Sequence, residues 1–193
     1  MTNKNRASLF CYYKSGPAIL SKSGAAPIVQ KGHRCVYKIS TTESSNESFR
    51  NSYLTKCGRF LIITQEWPFR TVKAKVLIIG QCNIQSTTTL SPILEIKIDI
   101  TADAMHVSPN EKYMVIYEKP TLTKRSLIVN LFEVTLSGPK PAFKKVDSMT
   151  LSCTWLHNVS LTDKELIIPF DHCCVRVYNI DGKFSLAIEQ SLV

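Results

Sequence analysis

Three stretches of this chain superimpose without a gap, and that repeat limits the fold more than any compositional total. Residues 53–63 read YLTKCGRFLII, residues 106–116 read HVSPNEKYMVI and residues 158–168 read NVSLTDKELII. Each sets an aliphatic residue (Leu54, Val107, Val159) before a hydroxyl (Thr55, Ser108, Ser160). Three turn residues come next, then a cation (Arg59, Lys112, Lys164), one variable residue and three apolar residues. The offsets are 53 and 52 residues. Downstream of each copy lies a second apolar run: AKVLIIG (74–80), SLIVNLFEV (126–134) and CVRVYNIDG (174–182). From the turn cation to Val76, Val129 and Val175 the separations are 17, 17 and 11 residues. The intervening loop varies while the apolar runs keep their places, as in a repeat whose strands form the core and whose loops face outward.

A further hairpin closes each unit. Asp-Gly in VYNIDGKFSL (177–186) is a two-residue hairpin signal. CYYKSGPAIL (11–20) aligns with it, Tyr12 on Tyr178 and Gly16 on Gly182. The expected fold is therefore all-β: WD40-like β-propeller blades of four antiparallel strands, about three and a half of them, in one partial propeller domain. The opening strands span 9–39, and full units span 48–99, 101–147 and 149–190. In the middle unit the strands are expected at about 103–107, 113–118, 126–134 and 141–147. Turns are expected at Lys56–Gly58, Pro109–Glu111 and Leu161–Asp163. The polar stretches 40–52 and 84–92 read as loops. One blade cannot bury both faces of its sheet, so neighbours must stack on it. Val175, Val177, Phe184 and Leu186 read as one such face, and an uncovered face implies a partner or self-association.

The net charge is +9, which favours polyanionic partners, RNA first among them. Apolar runs are too short to cross a bilayer as helices, and the N-terminus is a poor signal peptide. The seven cysteines are odd in number and include no CxxC. They read as small buried side chains of a reduced, cytoplasmic protein. The cations fall in the long loops between second and third strands. WPFRTVKAK (67–75) carries Arg70, Lys73 and Lys75, and EKPTLTKRS (118–126) carries Lys119, Lys124 and Arg125. Equivalent loops protrude on the same face of stacked blades, so these six residues are the expected RNA- or ribosome-binding patch.

Little else suggests chemistry. No phosphate-binding glycine loop or nucleophile elbow is present, and no catalytic, metal or cofactor residues are assigned. His106 and His157 read as strand residues. Alternation along a strand would split Asp171, His172, Cys173 and Cys174 between two faces. Asp163, Asp171 and Asp181 read as turn residues, and Trp155 and Trp67 as blade packing and a loop anchor in preference to a base-stacking platform.

The run ADAMHVSPNEKYMVIYEKP, then LIVNLFEV, then SCTWLHNVSLTDKELIIPFDHCCVRVYNIDGKF resembles the propeller of the eukaryotic translation initiation factor 2A family. Val107-Ser108-Pro109 fills the place of that family's FSP-type turn. Asn130 to Val134 fills that of its third strand, and Trp155 that of the tryptophan before the next turn. SLFCYYKSGPAIL is similar to the family's opening hairpin. The b subunit of initiation factor three has blades of the same kind. The family's propeller has nine blades and a helical tail, so the resemblance implies a fragment or a reduced version. It also implies a non-enzymatic platform binding the small ribosomal subunit, rRNA, mRNA or initiator tRNA and other initiation proteins, with no cofactor and no membrane. The alternative is a generic WD40-type protein-interaction scaffold without RNA binding.

Overall fold

A computed structural model describes residues 7–12, 19–21, 34–39, 48–56, 60–66, 75–80, 89–90, 92–136 and 140–191. All regular structure among them is β, arranged in four-stranded sheets. The chain divides into two compact units, Met1–Lys97 and Ile98–Val193.

In the first unit, β1 (Ala7–Tyr12), β2 (Ile19–Ser21), β3 (Arg34–Ile39) and β7 (Thr89–Leu90) form one sheet in the order β2-β1-β3-β7. β1 pairs antiparallel with β2, which gives the expected opening hairpin, but β7 joins β3 in parallel. This sheet is therefore not a simple antiparallel blade. β4 (Ser48–Leu54), β5 (Phe60–Glu66), β6 (Lys75–Gly80) and β8 (Pro92–Lys97) form the other, in the order β4-β5-β6-β8.

Two stretches expected as loops thus contain strand. Residues 48–52 belong to β4, and residues 89–90 and 92 to β7 and β8. β4 is an edge strand paired only with β5, and Asn51, Ser52 and Tyr53 in it are only half-buried, so polar side chains are tolerated. Its backbone bulges between Phe49 and Asn51. There the Asn51 N–H and Nδ2 both donate to the buried Thr64 hydroxyl, at 3.0 and 2.9 Å.

The second unit holds two antiparallel meanders. β9 (Ala104–Val107), β10 (Tyr113–Glu118), β11 (Ser126–Thr135) and β12 (Ala142–Ser152) make the first. β13 (Ser160–Leu161), β14 (Glu165–Phe170), β15 (Cys174–Ile180) and β16 (Phe184–Ser191) make the second. The expected strands of the middle unit are present, and β12 runs on to Ser152.

Apolar side chains from both meanders share one core: Val115, Leu127, Val129 and Leu131 from one, Leu166, Ile168 and Ile180 from the other. Burying each such side chain stabilises the fold by about 1.5–3 kcal/mol. Polar bonds tie the same two sheets together. The Asp163 carboxylate accepts from the Asn110 N–H at 2.6 Å, and Asp147 accepts from the Phe184 N–H at 2.6 Å.

The repeat survives in detail that the sequence did not announce. In three sheets the ladder between third and fourth strands is bulged, at Ile78/Ile79, Leu131/Phe132 and Val177/Tyr178. These lie two and three residues past Val76, Val129 and Val175, the same repeat position each time. Two of the turn cations share a backbone bond as well, while Arg59 lies outside the described residues. The Lys112 carbonyl accepts from the Val134 N–H at 2.7 Å, and that of Lys164 from the Ile180 N–H at 2.9 Å.

One turn departs from the alignment. The Thr55 and Ser108 hydroxyls each accept from the N–H five residues on, that of Phe60 and that of Tyr113, at 3.1 and 3.0 Å, with residues 57–59 of the first copy outside the described residues. In the third copy Leu161 lies in β13, and Thr162 replaces the aligned Ser160 in this role. Its hydroxyl accepts from the Glu165 N–H at 2.9 Å across a shorter turn.

The expected face of Val175, Val177, Phe184 and Leu186 is also split. Directly opposed residues of an antiparallel pair share a face. Phe184 opposes Ile180 and Leu186 opposes Tyr178, on the core side, while Val177 opposes Ile167 and Ile188 on the other.

Candidate functional site

The connections between β10 and β11, β12 and β13, and β14 and β15 meet at one end of the second unit. The first, Lys119–Arg125, is one of the two expected cationic loops. Its entry is fixed by the segment before β9: the Lys119 N–H donates to Asp103 at 2.9 Å, and the Thr101 N–H to Glu118 at 3.2 Å. Its tip is a tight turn. The Thr121 N–H donates to the Lys124 carbonyl at 2.8 Å, and the Lys124 N–H returns to the Thr121 hydroxyl at 2.9 Å. Leu122 at the tip is 98% exposed.

Lys119, Lys124 and Arg125 are all exposed, as expected, but not all of their charge is free. The Lys124 ammonium lies 2.7 Å from Glu118. Burial pushes the Glu118 carboxyl up, but hydrogen bonds from Lys124 and Thr101, with the Lys124 charge, hold it below the ordinary range. Among the described residues Arg125 has no ion-pair partner. Lys75 is the first residue of β6 and not a loop residue. Arg70 and Lys73 lie outside the described residues.

The second connection runs beside the first. The Cys153 N–H donates to the Arg125 carbonyl at 3.2 Å, extending the β11–β12 ladder past its last strand pair. Two residues on stands Trp155, 57% exposed. The expectation that it packs inside a blade is overturned. Its indole stacks on the His172 imidazole, centroids 5.9 Å apart and planes 18° from parallel. His157 meets the same imidazole edge-on at 6.0 Å. His157 lies outside the named strands, next to the isolated Leu156–Phe170 bridge.

The third connection holds this group in place. Asp171–Cys173 is the turn between β14 and β15, so strand alternation does not apply to it and the expected split between two faces fails. Asp171 and His172 both have positive φ, 44° and 65°. Residues other than glycine pay for that conformation unless their surroundings fix it. Here one oxygen of Asp171 accepts from the Thr154 N–H, the Thr154 hydroxyl and the Trp155 N–H, at 2.8, 2.8 and 2.9 Å. The Asp171 N–H donates to the Trp155 carbonyl at 2.9 Å, and the His157 N–H to the Pro169 carbonyl at 3.1 Å. Slight burial raises the Asp171 carboxyl. The Thr154 and Trp155 bonds and the His172 charge outweigh it and hold the group below the ordinary carboxylate range. Asp171 is thus a turn-fixing aspartate, as its sequence position suggests.

Elsewhere, His106 on β9 stacks on Tyr117 of β10 with centroids 5.8 Å apart. Burial, then the Lys119 charge, lowers the His106 value. Among the described residues no three His, Cys, Asp or Glu side chains converge as a metal site, and no helix is long and apolar enough to cross a membrane. What the loop end can do chemically is bind: it offers cations from one loop and a fixed aromatic stack from the next two.

No protein-family model and no curated protein matches the chain. Among solved structures it is similar to a Bacteroides fragilis chain described provisionally as a 6-phosphogluconolactonase, with a TM-score of 0.47 and 14% identity. The match covers 86% of this chain, which spans 64% of the length of the other.

Proposed function

We propose that this chain is a non-enzymatic, propeller-type platform that binds RNA, in the manner of a translation initiation factor 2A-like protein docking on the small ribosomal subunit, its rRNA, mRNA or initiator tRNA. The observation that carries the reading is the exposed Lys119–Arg125 loop. It is fixed at its entry by Asp103 and keeps Arg125 without an ion-pair partner among the described residues. In a chain of net charge +9 such a loop is where phosphates would accumulate. Lys124 is the weaker contributor, because an RNA phosphate must compete with Glu118 for it.

The experiment is salt-dependent binding of RNA and of small ribosomal subunits to the chain and to a Lys119→Ala, Arg125→Ala variant. The variant is expected to bind more weakly and to lose roughly one unit of salt slope per phosphate contact removed. Adding Arg70→Ala, Lys73→Ala and Lys75→Ala should flatten the dependence further. Equal binding at low salt by the chain and the combined variant would overturn the reading in favour of a protein-only scaffold.

A further inference from the structure

We infer that the Trp155–His172 stack is a docking platform for an unpaired nucleobase, so that the ligand class of this end is single-stranded rather than duplex RNA. The inference rests on the RNA reading above and narrows it.

Three observations converge. The indole is stacked on one ring yet remains 57% exposed, which leaves surface for a third. An isolated exposed tryptophan would need no explanation, but this one is held rigid. Its N–H and carbonyl are both bonded to Asp171, and the neighbouring Leu156 and His157 are bonded to the β14 backbone. Rigidity matters because a ring already ordered loses little entropy when a base stacks on it.

The second observation is the backbone. Asp171 and His172 sit consecutively at positive φ, a conformation sustained only because the Asp171 carboxylate is so fully engaged. Without that turn the imidazole would not lie parallel to the indole.

The third is the neighbour. The Arg125 carbonyl accepts from Cys153, two residues before Trp155, so the cationic loop and the stack are adjacent along one rim. Aromatic rings for bases beside cations for the backbone is the arrangement single-stranded nucleic acids require. A duplex presents phosphates but keeps its bases stacked on each other, so it could use only the cations.

The test uses the full chain with a single-stranded oligouridylate and an RNA duplex of equal length. Trp155→Ala should weaken single-strand binding about 5- to 150-fold, the worth of one stacked base, and leave duplex binding and the salt slope unchanged. Trp155→Phe should recover part of the loss. His172→Gly removes the imidazole while keeping a residue suited to φ 65°, so it tests the stack even if Trp155→Ala folds poorly. Arg125→Ala should do the converse, lowering both affinities and the slope. Tryptophan emission should be quenched by the single strand and not by the duplex, and the quenching should vanish in Trp155→Ala. Single-strand binding undiminished in Trp155→Ala or His172→Gly overturns the platform alone. No binding of either RNA by the unaltered chain at low salt overturns the platform together with the RNA reading. Binding of a proline-rich peptide that Trp155→Ala abolishes, with RNA binding intact, also overturns it.

Discussion

Asp171 joins two connections through one carboxylate oxygen, and its replacement should be felt at both. Asp171→Ala leaves two backbone N–H groups and a hydroxyl to water and removes the support of two positive-φ residues. A stability loss of about 1 kcal/mol is expected, at the low end because the site is wet, together with increased acrylamide quenching of Trp155. The pH dependence follows from the direction of the shift. The folded-state value lies below the ordinary one of about 3.9, so the contribution is present above that pH and is lost as pH falls through the folded value. Chemical denaturation at pH 6 and pH 3 should show a smaller gap between the chain and the variant at pH 3. Tyr117 behaves in the opposite sense. Burial, then the Asp103 charge, pushes its phenol up to about 12. Its contribution therefore persists through pH 10 and is lost as pH rises through about 12. The phenolate absorbance of the chain minus that of Tyr117→Phe should show a component titrating near 12, and the absence of that component would contradict this. At this scale the sequence was partly legible. An aspartate between a strand end and a polar pair reads as a turn residue. The exposure of Trp155 did not show, because it depends on a turn sixteen residues away in the chain.

Among elements, the three first hairpins carry a common pattern with unequal chemistry. Ser108 is fully buried, its hydroxyl donating to Asn110 at 2.7 Å and accepting from the Tyr113 N–H. Ser108→Ala should cost about 1–3 kcal/mol, the penalty for leaving buried partners unsatisfied. In the third hairpin the aligned Ser160 is exposed and Thr162 takes the bond. Thr162→Ala should cost about 1 kcal/mol, while Ser160→Ala should stay within about 0.5 kcal/mol. Urea melts of the three variants rank them, and a larger loss for Ser160→Ala than for Thr162→Ala would refute the turn assignment. The ungapped alignment hid this difference because hydroxyls stand at both positions. Edge strands were hidden for another reason. β4 is rich in serine and asparagine and reads as loop, yet one ladder partner and a bulge are enough to seat it. The recurring bulges left no mark in the residue types, since any residue can be the extra one. The inner strands β10 and β11 were legible throughout, because burial on both sides calls for largely apolar runs, interrupted in β11 by the buried Asn130.

For the whole molecule, the second unit leaves one sheet face incompletely covered. Ile167, Val177 and Ile188 form a row across β14, β15 and β16, and Ile188 is 52% exposed. Such a row favours association. Sedimentation of the chain should depend on concentration, and Ile188→Lys should shift it towards monomer with little loss of melting temperature. Unchanged behaviour of that variant would show that the row is not the contact. The bonds between Asn110 and Asp163 and between Phe184 and Asp147 carry a different consequence. They lash the two meanders together, one bond between the β9–β10 and β13–β14 turns and the other from the middle of β12 to the start of β16, on top of a shared core. A load applied through the ends of this unit would meet both sheets at once instead of peeling one away from the other. Stretched between handles, residues 104–191 should give way in one rupture that releases about 300 Å of slack, with no pause at half that length.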